Sequence, residues 1–220
     1  MKLTEIKKLI PECCTVDKID INNYDQDERE ALEDFLPAVK SIIILGHHIR
    51  DSREWIWTPM ESERDNSTCI ADLHTKDIMN KIKNHIKSKG YNSKLIPYPG
   101  VSGVSFKKIA MKTKLGEIGD NFLFLHHEWG PWVHLRVLVT NIKINSSEKS
   151  TKEEVCIHCG KCIEACPVNA IGQNSFDRER CNQRQEQLDV SHSCEICARS
   201  CPIGETPEKI KLVKVEGEYD

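Results

Sequence analysis

Cysteine spacing in the last third of the chain constrains this sequence more than any other feature. The chain has 220 residues and 11 cysteines, and eight of these cysteines lie between residues 156 and 201. A secreted disulfide scaffold distributes its cysteines through a short chain, whereas here they follow a long stretch of ordinary mixed sequence. The N-terminal MKLTEIKKLI has no continuous apolar core of the kind that a secretory signal needs. We therefore expect metal binding in a reducing compartment and a cytoplasmic protein.

The eight cysteines form two sets with a defined spacing. The first is Cys-x2-Cys-x2-Cys-x3-Cys-Pro, and the second is a lone cysteine followed by Cys-x2-Cys-x3-Cys-Pro. Bacterial ferredoxins have this spacing, in which three close thiolates wrap one [4Fe–4S] cluster and the fourth serves the other cluster. We therefore predict two [4Fe–4S] clusters with crossed ligand sets. The first cluster takes Cys156, Cys159, Cys162 and Cys201, and the second takes Cys166, Cys181, Cys194 and Cys197.

Other metal groups fit this cysteine pattern less well. Two zinc sites with four cysteines each would use as many thiolates, but zinc ribbons pair two Cys-x2-Cys knuckles and need no Cys-Pro ending. A c-type haem needs a histidine directly after Cys-x2-Cys, whereas His158 lies inside the first knuckle. The remaining cysteines, Cys13, Cys14 and Cys69, are interpreted as ordinary thiols without a ligand or redox role.

Apolar periodicity predicts helices and strands that alternate before the cysteine-rich tail. We expect helices at 2–10, 25–36, 69–89 and 105–113, and strands at 41–48, 92–98, 122–129 and 134–144. The last two strands are expected to form a hairpin around Gly130 and Pro131. The polar stretch 145–154 is interpreted as a linker. The predicted fold is an α/β (or α+β) domain over 1–148, followed by a bacterial ferredoxin-like 2[4Fe–4S] domain over 149–220.

Charge and hydropathy exclude several classes of partner. The net charge is −3, from 31 Lys+Arg and 34 Asp+Glu, so no basic field holds a nucleic-acid backbone and we expect no DNA partner. The longest apolar run is four residues, 42–45, far short of the roughly 20 that a membrane helix needs, so we expect no membrane contact. The glycines form no G-x-G-x-x-G after a strand, so we predict no nicotinamide binding.

Two of the predicted strands end in a histidine pair that is followed by tryptophans. Ligands of α/β sheets lie beyond the carboxyl ends of strands, so these side chains would meet at one edge if both strands point the same way. Aromatic faces could then cover a planar cofactor, and a histidine could donate a proton. The alternative, which we favour, is ordinary packing at two strand ends. The residues that would meet are His47, His48, His126, His127, Trp129 and Trp132, whereas Trp55 and Trp57 follow the first strand in a polar loop.

The order of these motifs resembles that of the epoxyqueuosine reductases and of the cobalamin-dependent reductive dehalogenases. In both, an α/β domain precedes the two cysteine sets. SIIILGHH at 41–48 resembles the early strand of this family, and AMKTKLGEIGDN at 110–121 resembles the stretch that ends LGWIGKN. The matching residues in the second stretch are Leu115, Gly116, Ile118, Gly119 and Asn121. Three positions depart from the family. Val101 stands where the family has an acidic proton donor, and Glu117 and Asp120 replace its tryptophan and lysine.

The resemblance implies that the clusters feed electrons to a cobalamin held by the preceding domain. Gly116 and Gly119 would let the backbone approach such a flat ligand, although a helix end and a turn would use them equally well. The cofactor-binding residues that we predict are Leu115, Gly116, Ile118, Gly119, His127 and Trp129. The resemblance also implies a small-molecule or tRNA-borne substrate. We expect an electron donor such as flavodoxin or ferredoxin. The lysines between residues 76 and 94 are interpreted as a solvated helix face, with a docking surface for an acidic donor as the alternative.

Three functions are compatible with these features. The first is an iron–sulfur reductase with a cofactor or substrate in the N-terminal domain. The second is a non-catalytic ferredoxin-type electron carrier, and the third is a reductive activator of a partner enzyme. The size of the N-terminal domain favours the reductase, whereas the absent acid at Val101 favours the other two.

Overall fold

The computed structural model describes residues 1–56, 58–59, 67–98, 100–101, 103–145, 154–188 and 194–208. Trp57, most of the predicted linker and the predicted domain boundary after residue 148 lie outside the described residues. No helix in these ranges is long and apolar enough to span a membrane.

Helices and strands alternate through the described part of the chain. The helices are α1 (Leu3–Lys7), α2 (Gln26–Phe35), α3 (Ile70–Ser88), α4 (Phe106–Met111), α5 (Lys161–Glu164), α6 (Arg178–Glu186) and α7 (Ile196–Arg199). The strands are β1 (Cys14–Asp20), β2 (Ser41–His48), β3 (Thr58–Pro59), β4 (Ser67–Thr68), β5 (Ser93–Leu95), β6 (Gly100–Val101), β7 (Val104–Ser105), β8 (Gly116–Ile118), β9 (Phe124–His126), β10 (Val133–Thr140), β11 (Ile171–Gly172) and β12 (Ser175–Phe176). The predicted mixed fold class is confirmed.

A four-stranded sheet forms the centre of the N-terminal part. Its strand order is β1-β2-β10-β5, and all three neighbouring pairs are antiparallel. The sheet therefore corresponds to the α+β form of the prediction. Its two central strands are buried on both faces, because Ile42 and Ile44 pack towards α2 and α4 while Ile43 and Leu45 pack towards α1 and α3. This two-sided burial explains the continuous apolar run that predicted β2.

Helix α3 covers one face of the sheet with a regular apolar stripe. Ile78, Ile82 and Ile86 are each at most 2% exposed, as their four-residue spacing predicts. Gly90 follows the helix with φ 81°, and its N–H donates to the Lys87 carbonyl. The predicted glycine cap is therefore confirmed, because a left-handed residue at this position favours glycine.

The strand predicted at 122–129 is present but shorter, and the hairpin predicted around Gly130 and Pro131 is wrong. Only Phe124–His126 is extended, and it pairs with β8 instead of β10. Gly130, at φ 56°, closes a tight turn through reciprocal backbone hydrogen bonds with His126. Strand β10 begins after this turn and joins β2 and β5 in the main sheet.

The cysteine-rich part packs directly against the N-terminal part. A Cβ at Gly130 would overlap the Ile203 carbonyl oxygen, so two backbone segments touch there. The Arg199 guanidinium lies 5.2 Å from the ring centroid of the fully buried Trp132. Phe122 stacks on Phe176, with ring centroids 5.1 Å apart. These contacts fix the cysteine loops against the hairpin β8–β9 and the start of β10.

Candidate iron–sulfur site and adjoining cavity

The first cysteine set is gathered from two distant segments of the chain. Three cysteines come from the loop and helix at 156–162, where His158 and Gly160 have φ 51° and 74° and turn the chain. The fourth follows α7. All four line one small cavity, together with Asp120, Asn121 and Leu125 of the N-terminal part. These cysteines are Cys156, Cys159, Cys162 and Cys201.

The second cysteine set lines a different and larger cavity of about 550 Å³. Helix α6 supplies one of its thiols and α7 another. The four residues are Cys166, Cys181, Cys194 and Cys197. The structure therefore brings the cysteines together in the two crossed groups that their spacing predicts. That they ligate two clusters stays a prediction.

The surroundings of the second set suit an anionic metal cluster. Burial raises the pKa of the Cys166 thiol, but hydrogen bonds from the backbone N–H groups of Val168 and Ala170 outweigh it, so the pKa lies below its ordinary value. The Ala170 N–H donates to Cys166 Sγ at 3.2 Å. Burial, with the neighbouring thiols Cys194 and Cys181, raises the pKa of Cys197 to about 12. A metal would relieve this crowding, and four thiolates with N–H donors are the donor set of a [4Fe–4S] cluster.

Two acidic residues hold the loop of the first cysteine set. Glu117 Oε1 accepts hydrogen bonds from the N–H groups of Val155 and Cys156, at 2.8 and 2.7 Å. Asp120 Oδ1 lies 3.0 Å from His158 Nδ1. Both acids stand where the resembled family has a tryptophan and a lysine. The sequence marks these positions as departures, but only the structure shows what their side chains contact.

The larger cavity is lined by both parts of the chain. Its volume lies within the roughly 300–1,000 Å³ range of small-molecule sites. Apolar side chains from the N-terminal part, such as Phe106 and Leu135, face Val168 and Phe176 of the cysteine-rich part. The ionisable lining residues are Tyr98, Lys107, His134, Arg178, Arg184 and Glu195, in addition to the four cysteines.

A buried carboxylate fixes the histidine at this cavity. Asp72 is 2% exposed, and its oxygens lie 2.7 Å from Arg136 Nη2 and 3.2 Å from His134 Nε2. Burial lowers the pKa of His134, which favours a neutral ring that donates to Asp72. Tyr98 stacks on the same imidazole ring, with ring centroids 5.2 Å apart. Sequence reasoning missed Tyr98, His134 and Arg136, although polar residues two apart in the apolar strand HLRVLV were a usable signal.

The predicted cofactor-binding segment has an internal role in the structure. A Cβ at Gly116 would overlap the Leu125 carbonyl oxygen, and one at Gly119 would lie 2.5 Å from Leu125 Cδ1. His127 Nδ1 lies 3.0 Å from the Leu115 carbonyl oxygen and ties the hairpin together. Among the described residues that line the larger cavity, none belongs to the predicted set. The glycines thus allow close strand pairing, and their contact with a ligand stays a prediction.

The histidine and tryptophan groups meet only in part. Trp129 lies between His48 and His126, with ring centroids 4.8 and 3.9 Å away. Burial, with His127 and His48 nearby, lowers the pKa of His126 to about 3. Trp132 is fully buried against Trp55. Each pair has one buried histidine, His47 and His126, as ordinary packing at a strand end predicts, and the side chain of His47 contacts Cys14 and Glu54.

Comparison with known proteins agrees with the cysteine motif and the fold. The model of the 4Fe-4S binding domain matches residues 151–172. Epoxyqueuosine reductase of Lactococcus garvieae (strain Lg2) is 31% identical over 108 residues, which cover 43% of this chain and 30% of the relative. Epoxyqueuosine reductase of Synechocystis sp. (strain ATCC 27184 / PCC 6803 / Kazusa) is 24% identical over 200 residues, 80% of this chain and 66% of the relative. The chain thus spans less than two thirds of the length of these curated relatives.

Solved structures of epoxyqueuosine reductases share the fold of this chain. An epoxyqueuosine reductase with a tRNA-Tyr epoxyqueuosine-modified stem loop has a TM-score of 0.65 at 18% identity, over 91% of this chain and 63% of that one. The enzyme from Streptococcus thermophilus has a TM-score of 0.64 at 17% identity, over 96% of this chain and 67% of that one. A catabolic reductive dehalogenase is more distant, with a TM-score of 0.53 at 17% identity, over 74% of this chain and 26% of that one. The predicted resemblance is confirmed: the chain carries a 4Fe-4S binding domain and has the fold of the epoxyqueuosine reductases.

Proposed function

We propose that the chain is an iron–sulfur reductase that passes electrons through two [4Fe–4S] clusters to a group held in the larger cavity. One observation carries this proposal. The second cysteine set and the sheet of the N-terminal part line the same cavity, so a cluster bound there would face any ligand in it. A bare electron carrier has no need for such a cavity next to its cluster.

Exposure of the two cysteine sets suggests a direction for the electrons. Cys159 of the first set is exposed, and Ile157 beside it is 63% exposed. No cysteine of the second set is exposed. We therefore place electron entry, from a flavodoxin- or ferredoxin-type donor, at the first cluster and electron delivery at the second.

Cobalamin is the cofactor that the resemblance implies, and it would supply a strongly reducing cobalt centre when bound. The apolar walls of the cavity suit a flat organic group, because Phe106, Val133 and Leu135 offer nonpolar surface on one side. Our sequence-based assignment of Leu115, Gly116, Ile118, Gly119, His127 and Trp129 is the competing location. Both locations adjoin a cysteine set. Because they share no residue, mutations in one or the other can distinguish them.

The proton for the reduction needs a source other than the family carboxylate, because Val101 stands at that position. Tyr98 lines the cavity and stacks on the His134 ring. A phenol holds its proton at neutral pH and can donate it to a bound group. Tyr98 is therefore our proposed proton donor. Since one structural relative holds an epoxyqueuosine-modified tRNA stem loop, the substrate class that we propose is a reducible small molecule or tRNA-borne group.

A titration of the fully reconstituted chain tests this function. The chain is reconstituted anaerobically with iron and sulfide, and cobalamin is added while the visible spectrum is recorded. We expect uptake by the parent protein and loss of uptake in Leu135→Trp, which fills the cavity, with iron content and circular dichroism unchanged. Leu73→Trp, at a 49% exposed position of α3, is the matched control. If Leu135→Trp takes up as much cobalamin as the parent, the binding site lies at the β8–β9 segment instead. If the parent takes up none, the cobalamin hypothesis is wrong.

The alternative function is an electron carrier or a reductive activator of a partner enzyme. The absence of a carboxylate at Val101 favours it, because the resembled family uses an acid there. In that case the reduced clusters would pass electrons to a partner protein, and Tyr98→Phe would leave the transfer rate unchanged. A rate that falls in Tyr98→Phe, with both clusters reduced normally, would support the reductase.

A further inference from the structure

Two cysteines outside the cluster motifs meet a buried histidine at the end of the main sheet. Cys14 begins β1 and lies directly opposite His47 in the ladder with β2. Cys14 Sγ is 3.4 Å from His47 Nδ1. The thiol of Cys13 joins them, so that the two sulfurs and the imidazole nitrogen all lie within 4.8 Å of one another. Neither cysteine takes part in the predicted iron–sulfur sites.

We propose that Cys13, Cys14 and His47 bind one thiophilic cation, with Zn²⁺ as the best match to two sulfurs and one nitrogen. Zn–S bonds of about 2.3 Å and Zn–N bonds of about 2.0 Å at a tetrahedral angle imply a sulfur–nitrogen separation of about 3.5 Å. The observed 3.4 Å between Cys14 and His47 meets this requirement. The two sulfurs lie within 4.8 Å of each other, and a shared ion would bring them to about 3.8 Å, so closing Cys13 onto it needs a movement of at most about 1 Å between the sulfurs.

The orientation of His47 is a second and independent observation. Its other ring nitrogen, Nε2, lies 2.6 Å from Glu54 Oε2. Glu54 is itself held, because Oε1 accepts from the backbone N–H groups of Arg50 and Asp51 at 3.2 Å each. With Nε2–H donating to this carboxylate, Nδ1 presents its lone pair to the thiols. Metal-ligating histidines have this carboxylate–histidine arrangement, which fixes the ring and raises its basicity.

An ordinary hydrogen bond explains less of this geometry. A Cys14 thiol donating to His47 accounts for one contact but not for the approach of Cys13 or for the anchored carboxylate behind the ring. Cys13 is only partly buried, so the site is open to solvent on its side. A water or an external ligand would complete four-coordination there, as in zinc sites with three protein ligands. We therefore replace our interpretation of Cys13 and Cys14 as thiols without a ligand role.

Zinc retention by the cluster-loaded chain tests the proposal. The full chain is reconstituted anaerobically, so that iron occupies the eight tail cysteines, then exposed to Zn²⁺ and desalted. We expect one zinc per chain in addition to the iron, with zinc-edge X-ray absorption showing about two sulfurs and one nitrogen among the ligand atoms. Cys13→Ser and Cys14→Ser should lose the zinc. Cys69→Ser is the matched control, because Cys69 is a 2% exposed thiol of the same part of the chain.

Glu54→Gln separates a metal site from a structural contact. Loss of the charged partner of a metal-bound histidine weakens metal affinity about 10–100-fold, so Glu54→Gln should raise the Kd for Zn²⁺ by that factor while iron content stays unchanged. The proposal is overturned if the loaded parent retains no zinc, or if Cys14→Ser and Cys69→Ser retain equal amounts. A disulfide between Cys13 and Cys14 in anaerobically purified protein would also overturn it.

Discussion

Removal of the Glu117 carboxylate should release the first cluster selectively. One oxygen of this side chain accepts two N–H groups at 2.8 and 2.7 Å, from Val155 and from the predicted ligand Cys156. Hydrogen bonds to a charged group contribute about 1.5–3 kcal/mol each. Because the two bonds share one half-buried oxygen, we take about 3 kcal/mol for the pair, which corresponds to a shift of about 150-fold in the loop equilibrium. In Glu117→Ala the loop would therefore open far more often, and the first cluster would become labile.

A chelator challenge under anaerobic conditions measures this effect. We expect the iron content of Glu117→Ala to fall from about eight towards about four per chain, with the electron paramagnetic resonance signal of the second cluster retained. Glu117→Gln keeps an acceptor oxygen, but hydrogen bonds to a neutral amide are about half as strong as those to a carboxylate. Iron loss from Glu117→Gln should therefore be slower than from Glu117→Ala. Glu128→Ala is the control, since Glu128 has a side chain that is 68% exposed. Iron loss from Glu117→Ala at the parent rate would refute the reasoning.

Three further predictions concern the stability of the scaffold. Gly116→Ala places a new Cβ against the Leu125 carbonyl oxygen. It should lower the free energy of unfolding, measured with urea, by about 1–3 kcal/mol, and a change of less than about 0.5 kcal/mol would contradict this. Asp72→Asn leaves Arg136 buried without its counter-ion and should cost about 3–5 kcal/mol at pH 7. Its partners hold the pKa of Asp72 below the ordinary 3.8 despite burial. Its contribution to the free energy of unfolding is therefore complete above pH 3.8, and the stability difference between parent and variant should narrow only as the pH falls further. Burial lowers the pKa of His126 from 6.5 to about 3, so between these pH values the folded state binds fewer protons than the unfolded state. The free energy of unfolding should therefore fall below pH 6.5 by up to about 1.4 kcal/mol per pH unit. His126→Asn should remove this pH dependence.

Apolar patterns in the sequence correctly predicted the elements whose buried side chains follow a regular local spacing. Strand β2 is apolar on both faces and is buried along nearly its full length, so a continuous apolar run was sufficient. Helix α3 has a four-residue apolar repeat and a glycine at its end. The grouping of the cysteines followed from ferredoxin spacing, because the loop geometry of such sites is local.

Elements that depend on distant partners could not be predicted in this way. Strand β1 has the sequence CTVDKID, whose adjacent Asp17 and Lys18 interrupt any alternation, yet it pairs with β2 over seven residues. Asp17 is only 7% exposed, because its carboxylate accepts from the N–H groups of Lys18 and of Lys114, 97 residues away. The cavity combines Tyr98, His134 and Cys197, and no local pattern connects these three positions.

Iron and acid-labile sulfide analysis of anaerobically reconstituted protein tests the central claim most directly. Two crossed cysteine sets predict about eight irons and eight sulfides per chain. Cys201→Ser should lower both to about four and remove the first cluster, while Cys197→Ser should remove the second. About four irons in the parent protein, or zinc in place of iron at the eight tail cysteines, would contradict the account.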